Sequence, residues 1–210
     1  RSESWNQMEA VSPHGVPEYN REIPYGKNTA LMFAARVGDL ESARLLVAAG
    51  ANVNDEDAWG ISVVTLATHS GFVDLVEFLL DKGADPNRSA AGFAPLHEAI
   101  MRRDEPLVRT LLAHGADPHA PLQAWTPTRR QSSDLHFEPE LVGATPYWLA
   151  ARFWQPNVMR LLVELGADPK SVHRSDRIVD GKEGRAYDHR YDATNALMAA
   201  LGMGGGGNAW

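Results

Sequence analysis

The sequence repeats a short glycine phrase at nearly regular intervals, and this self-similarity constrains the fold more than any other feature. The phrase reads Gly-Ala-Asn or Gly-Ala-Asp, and its glycines are Gly50, Gly83, Gly115 and Gly166. Successive glycines are 33, 32 and 51 residues apart, and the last interval equals one 33-residue unit plus 18 residues. Such a period predicts a stack of equivalent units, because each small unit can bury its apolar face only against a neighbour.

A second phrase, of small and apolar residues, begins 21 residues before each of these glycines. Its first residues are Thr29, Ser62, Ala94 and Thr145. A hydroxyl at this position predicts a helix N-cap, and Pro95 and Pro146 suit the first helical position. Paired leucines before each glycine predict a second helix, which the glycine ends in the left-handed conformation. Each unit is therefore predicted to consist of two short helices and a turn.

The 33-residue spacing and the phrase Ala-Pro-Leu-His-Glu-Ala at 94–99 resemble ankyrin repeats, whose family form is Thr-Pro-Leu-His-x-Ala. The resemblance covers about residues 26 to 170 and implies an all-α, ankyrin-type helical-repeat solenoid with extended finger loops. The insertion pattern is also similar to that of bacterial ankyrin-repeat proteins. Repeats are predicted at about 26–58, 59–90, 91–119 and 143–170, with a partial fifth at 193–210.

We expect these repeats to form one ankyrin repeat domain over residues 26–210, after an extended N-terminal segment over residues 1–25. Two residues depart from the family pattern: Ala94 lacks the capping hydroxyl, and Trp154 stands where the turn glycine belongs. Both are expected to weaken their units locally. The resemblance gives His97 a structural hydrogen-bonding role in the first helix of its unit.

Two insertions interrupt the repeats, at about 120–142 and 171–193. Both follow a Gly-Ala-Asp-Pro phrase, which in ankyrin-like folds places them in the finger turn beside the concave face. The first holds Trp125, Arg129, Arg130 and Phe137, a mixture of aromatic and guanidinium side chains that is typical of interface anchors. We expect these four residues to contact a partner protein. The alternative is that both insertions are tolerated surface loops, since added loop length costs little entropy.

Trp148 is a fifth candidate for the partner-binding surface, because it occupies the position that His97 has in its own unit. It is expected to face the concave surface or, as the favoured alternative, to pack against a neighbouring repeat. The local sequence around Trp148 does not decide between these two orientations.

Patterns that would support catalysis or metal binding are missing from the sequence. The chain has no cysteine, so disulfides and cysteine zinc sites are excluded. His114 and His119 flank a turn without a third ligand, and neither a His-Glu-x-x-His nor a Gly-x-Ser-x-Gly pattern occurs. The glycine run at 202–207 lacks the Lys-Ser/Thr that follows a phosphate loop. We therefore expect no enzymatic activity, no metal and no cofactor.

Charge and hydropathy narrow the class of partner. The formal net charge is -7, whereas nucleic-acid-binding proteins usually carry a basic excess. No apolar run approaches the roughly 20 residues that span a bilayer. The predicted function is protein–protein interaction or scaffolding through the concave face and the finger loops.

An accessory or structural subunit is the alternative function, either of a larger assembly or of a multidomain enzyme whose catalytic part lies elsewhere. The first residue, Arg1, and the incomplete last repeat favour a longer chain. The compartment stays open between periplasmic or secreted after signal removal, and cytoplasmic.

Overall fold

The computed structural model describes residues 8–11, 21–24, 26–126, 137–180 and 187–203. The chain divides into two compact units, one containing Glu22–Asp117 and the other containing Pro118–Trp210. Two short strands, β1 (Met8–Val11) and β2 (Arg21–Pro24), pair in a two-stranded sheet near the N-terminus.

The first unit contains three helix pairs. They are α1 (Ala30–Val37) with α2 (Leu40–Ala48), α3 (Val63–Ser70) with α4 (Val73–Asp81), and α5 (Pro95–Met101) with α6 (Glu105–Ala113). The first helices of the pairs, called inner helices below, pack side by side, and so do the second or outer helices. Their contacts bury Leu31, Val64 and Leu96 between the inner helices and their neighbours. This burial stabilises helices that are too short to be stable alone in water.

The second unit contains one complete helix pair and a β-hairpin. Its elements are a short 3-10 helix (Pro139–Leu141), α7 (Pro146–Arg152), α8 (Pro156–Glu164), β3 (Val172–Asp180), β4 (Tyr187–Asn195) and α9 (Ala196–Ala200). The inner helix α7 packs against both α8 and α9. Strands β3 and β4 pair antiparallel, with Val172 opposite Asn195 and Asp180 opposite Tyr187.

The helix starts follow the predicted caps. The hydroxyl oxygens of Thr29, Ser62 and Thr145 accept backbone N–H groups three residues ahead at 3.4, 3.1 and 3.3 Å. At Ala94 the direction is reversed, because the Nδ1 atom of His97 accepts the Ala94 N–H at 2.9 Å. This bond confirms the structural role of His97. It also offsets part of the weakening expected from the missing hydroxyl, since one otherwise unpaired donor at the helix start is satisfied.

The turn after each inner helix needs a residue in the left-handed conformation. Gly38 and Gly71 adopt it in the first two pairs, with φ of 75° and 85°. Trp154 adopts it in α7's turn with φ of 55°, so the prediction that it replaces the turn glycine is confirmed. Arg103, with φ of 59°, does the same after α5 and was missed by the sequence analysis. Each non-glycine residue there costs on the order of 1 kcal/mol.

The predicted helical-repeat fold is confirmed, but the second insertion is a β-hairpin that the sequence analysis did not predict. Along β3, His173 and Ser175 are buried while Val172, Arg174 and Asp176 are exposed, which is the period-two alternation of a strand. The buried side is polar, so hydropathy patterning did not reveal the strand.

Candidate protein-binding surface

Side-chain amides link successive turns of the first unit. The Asn54 side chain donates to the Gly83 carbonyl at 3.0 Å and accepts the Asp85 N–H at 2.8 Å. Asn87 repeats both bonds one unit later, with the Gly115 carbonyl at 2.9 Å and the Asp117 N–H at 2.7 Å. These bonds fix the spacing of consecutive turns and thereby the positions of the fingers.

The finger before α3 is organised by a carboxylate. Asp57 accepts the N–H groups of Trp59 and Ile61, both at 2.9 Å. Burial raises the pKa of Asp57, while these hydrogen bonds and the charge of Arg36 act in the opposite direction. The Trp59 ring packs edge-on against Phe93 with centroids 6.1 Å apart. This finger is therefore a fixed structure and not a loose loop.

The inner-helix face of the first unit is formed by Phe33, Leu66, His69, Glu98 and Arg102. Glu98 is buried, and its carboxylate lies 3.3 Å from Nδ1 of the half-exposed His69. Arg102 donates to the His69 carbonyl. Phe33 occupies in α1 the position of Glu98 in α5, and its ring is largely exposed. The face thus combines satisfied polar groups with an accessible aromatic ring.

The first insertion is closed at its base by backbone hydrogen bonds in the second unit. Leu122 donates to the Ala144 carbonyl at 2.9 Å and accepts the Gly143 N–H at 2.7 Å. Farther out, the Thr126 N–H donates to the Phe137 carbonyl at 3.0 Å, and the Phe137 N–H donates to Oγ1 of Thr126 at 2.6 Å. Both ends of the insertion are therefore anchored to each other.

Of the five predicted partner-binding residues, three lie in the part of the chain that the structure describes. Trp125 is half-buried, and Arg129 and Arg130 lie outside the described residues. Phe137 and Trp148 are fully buried. The prediction that Phe137 is an accessible anchor is wrong, whereas the burial of Trp148 agrees with its favoured packing alternative. The physical reason is that a large ring gains more by burial than by exposure, and composition alone does not tell which aromatic residue of an insertion turns inward.

Trp148 fills the core of the second unit. Its ring lies against the imidazole of His173, with centroids 4.4 Å apart, and Nε2 of His173 lies 2.8 Å from the Glu140 carbonyl. Burial lowers the pKa of His173, and the hydrogen bonds to backbone carbonyls partly oppose this shift. The packing alternative for Trp148 is the one the structure supports.

Two exposed aromatic side chains were missed. One is Phe33, and the other is Tyr191 on β4, which is the most exposed large hydrophobic residue among those described. Tyr191 stacks on His189 with centroids 6.2 Å apart, and Nδ1 of His189 lies 3.0 Å from the Asp176 carboxylate. An aromatic residue in a segment otherwise rich in charge was the signal that could have identified Tyr191.

The described part of the chain holds no group of three or more histidines, aspartates or glutamates that could bind a metal ion. Within the same residues, none of the helices combines the length and apolarity that a membrane crossing requires. The exposed aromatic side chains and the hydrogen-bonded fingers form a surface suited to contact with another macromolecule.

Stacked helix pairs with hydrogen-bonded fingers define a helical-repeat binding protein. The family match gives the particular class: residues 31–121 match the family described as ankyrin repeats (3 copies), so the chain contains ankyrin repeats. Ankyrin repeats are protein–protein interaction modules, and the predicted general function, protein–protein interaction or scaffolding, is confirmed at this level.

Curated relatives match this chain over a part of their own length. The chain is 36% identical over 98 residues to the human palmitoyltransferase ZDHHC13, a match covering 46% of this chain and 16% of that protein. It is 38% identical over 91 residues to a Treponema pallidum protein named for its ankyrin repeats, covering 42% and 30%. It is 37% identical over 86 residues to the mouse 2-5A-dependent ribonuclease, covering 40% and 9%. The matches span less than a third of each of these relatives.

Proposed function

We propose that the chain binds a partner protein through its inner-helix face and fingers, as a non-catalytic scaffold. The observation that carries this proposal is the exposed ring of Phe33 on a face whose fingers are already fixed by the Asn54 and Asn87 bonds. Pre-organised surfaces lose little entropy on binding, and exposed aromatic residues commonly supply most of the binding energy. Tyr191 on the β3–β4 hairpin gives the second unit a comparable exposed ring.

The test is affinity purification from the native source, with the wild-type chain compared with a Phe33→Ala/Tyr191→Ala double variant. The matched control is Leu45→Ala, because Leu45 is similarly exposed but lies on the outer helix α2. We expect a stoichiometric protein partner that the double variant loses and the control retains. Equal retention by all three chains, or no partner at all, would contradict the proposal.

The absence of catalysis in this chain remains part of the proposal. The human palmitoyltransferase and the mouse ribonuclease carry enzyme names, but the match covers only 16% and 9% of them. This favours a role of repeats as accessory parts of larger proteins, as in the alternative function. Sequencing the complete reading frame tests this alternative, since a further folded domain would support it.

A second candidate function, a structural subunit, is favoured by α9. Leu197 and Leu201 are 70% and 71% exposed, whereas the residues at the equivalent positions of the four complete repeats are at most 8% exposed. Those equivalents are Leu31, Val64, Leu96 and Tyr147 for the first, and Ala35, Thr68, Ile100 and Ala151 for the second. An adjacent apolar pair of this kind is typical of a surface that another subunit covers.

Light scattering at increasing protein concentration tests the structural-subunit role. The wild-type chain should self-associate or aggregate with rising concentration, and a Leu197→Gln/Leu201→Gln variant should stay monodisperse. Leu45→Gln, at one exposed position elsewhere, serves as the control. A monodisperse wild-type chain would argue against the subunit role.

A further inference from the structure

Arg152 is a buried charge that has no counter-charge among the described residues. It ends α7, and only 7% of its surface is exposed. Among the described residues, the guanidinium has no hydrogen-bond or ion-pair partner, and burial is the one influence that lowers its pKa. Its nitrogen atoms are not among those sealed from solvent without a partner, so the charged end still reaches the surface.

The repeat register shows which residue lies opposite Arg152 on the adjacent inner helix. Arg152 is the seventh residue after the cap Thr145, as His69 is the seventh after the cap Ser62. In the first unit, His69 pairs with Glu98, the fourth residue after Ala94. The inner helices α7 and α9 pack as α3 and α5 do, and the fourth residue after the cap Asn195 is Ala199.

With Ala199 at this position, Arg152 lacks the carboxylate that Glu98 provides to His69. A buried charge without a partner destabilises a protein substantially, and apolar replacement of such a group is often neutral or stabilising. The third repeat has such a replacement, because Met101 stands at the seventh position there. Retaining arginine in the fourth repeat is therefore unfavourable for the isolated chain.

We propose that Arg152 receives a carboxylate from outside the chain, from an aspartate or glutamate side chain of a peptide segment of the partner protein. This proposal rests on the proposed function and specifies the chemistry of its partner. The planar guanidinium matches a carboxylate through two parallel hydrogen bonds. One cation suits a singly charged carboxylate, whereas phosphate groups are usually recognised by clusters of arginines.

The experiment uses a phage-displayed library of random 12-residue peptides, selected separately on the complete wild-type chain and on an Arg152→Met chain. The variant keeps an unbranched apolar stem and copies the residue of the third repeat. We expect aspartate or glutamate at one position of the wild-type pool, enriched about ten- to a hundredfold over the variant pool, as for a charge-assisted pair. Arg152→Lys, which keeps the charge without the planar fork, should give a weaker acidic preference.

Two further measurements keep a structural role distinguishable. Arg152→Met should raise the thermal midpoint, whereas an arginine needed for folding would lower it on replacement. Ala199→Glu should abolish the acidic preference with Arg152 still present, because the chain then supplies its own carboxylate. A correct midpoint and circular dichroism spectrum confirm that this variant folds.

The outcomes separate the two proposals. Equal acidic content in the wild-type and Arg152→Met pools would overturn the role of Arg152 while leaving peptide binding intact. No enrichment above an empty support would overturn peptide binding by this surface, and the role of Arg152 with it. A lower midpoint in Arg152→Met together with unchanged selection would assign the residue to folding alone.

Discussion

Helices α3 and α7 carry a polar residue at the same position, and within the described residues that of α3 has a charged partner whereas that of α7 has none. In the first unit His69 meets Glu98 across adjacent helices at 3.3 Å. In the second unit Arg152 has Ala199 at the position of the glutamate. Adjacent inner helices pack against each other in both units, and the residues at these two positions differ. Repeats of one chain can therefore differ in whether a polar side chain has a partner among the described residues.

The third residue after the helix cap also has different roles in the third and fourth repeats. His97 there makes a local hydrogen bond to Ala94, whereas Trp148 fills the space beside His173. His97 therefore stabilises the start of its helix, whereas Trp148 contributes to packing of the core.

The largest expected effect comes from emptying that core position. Trp148→Ala should destabilise the second unit by about 3–5 kcal/mol, because a large cavity replaces a buried ring. His97→Ala should cost the first unit about 1–3 kcal/mol, since the Ala94 N–H loses its acceptor. Chemical denaturation gives the totals, and hydrogen exchange of peptides from each unit assigns the loss. If either variant lost the same hydrogen-exchange protection in both units, the assignment of each residue to its own unit would be wrong.

The turn after the inner helix gives the next effect. Gly38→Ala should cost about 2–4 kcal/mol, because φ of 75° disfavours a side chain and the new Cβ would lie 2.5 Å from the Phe72 ring. Gly83→Ala, where nothing lies near the added Cβ, should cost only about 1–2 kcal/mol of backbone strain.

Trp154→Gly tests the same turn position in the second unit. Its effect should stay within about 1 kcal/mol, since relief of the left-handed strain opposes loss of the indole hydrogen bond to the Ala200 carbonyl. Thermal denaturation of the three variants measures the order. A large loss in Trp154→Gly would show that its side chain, and not the turn, dominates this site.

A smaller effect is expected at the amide links between turns. Asn87→Ala removes one donor and one acceptor that join it to Gly115 and Asp117, and it should cost about 1–2 kcal/mol. Asn87→Asp keeps the acceptor and loses the donor, so it should cost less than the alanine variant. Urea denaturation measures both. Identical losses would mean that the bond from the Asp117 N–H to the residue 87 side chain contributes nothing.

The smallest effect is the pH dependence, and its sign differs between the units. A hydrogen bond to the Thr110 carbonyl, supported by Asp81, raises the pKa of His114 above its ordinary value of 6.5. Its stabilisation is complete below that value and is lost as the pH rises through the folded-state pKa. The lowered pKa of His173 has the opposite consequence: its contribution is present above 6.5 and is lost as the pH falls through the folded-state pKa.

Hydrogen exchange between about pH 8 and about pH 5 tests this sign, after correction for the intrinsic exchange rate. Relative to His114→Gln, the wild-type first unit should gain protection on acidification. Relative to His173→Gln, the wild-type second unit should lose it. The same sign in both units would contradict these assignments.

Much of the fold was predictable because its signals are local. The hydroxyl of Thr145 and the glycine at Gly166 mark a helix start and a helix end through a few neighbouring residues. The β3–β4 hairpin was not predictable from hydropathy, because the side that it buries carries His173, Ser175 and Thr194.

The candidate site was less predictable than the fold. Phe137 and Trp148 have the composition of interface anchors, yet whether each ring turns inward depends on contacts with distant residues such as Thr126 and His173. The position of Arg152 could be predicted from the sequence, because counting from the helix caps Thr145 and Asn195 places it opposite Ala199. That signal becomes meaningful only when the His69–Glu98 pair shows which positions face each other.

The closed base of the first insertion has a consequence for how this protein can change over generations. Thr126 and Phe137 hold each other through two hydrogen bonds, and ten residues, 127–136, connect them. Doubling the length of a connection whose ends are already held costs only about 0.6 kcal/mol of closure entropy. Insertions and deletions between Thr126 and Phe137 therefore add little to the entropy cost of folding. Selection for a new partner has a place to act that is largely uncoupled from selection for stability.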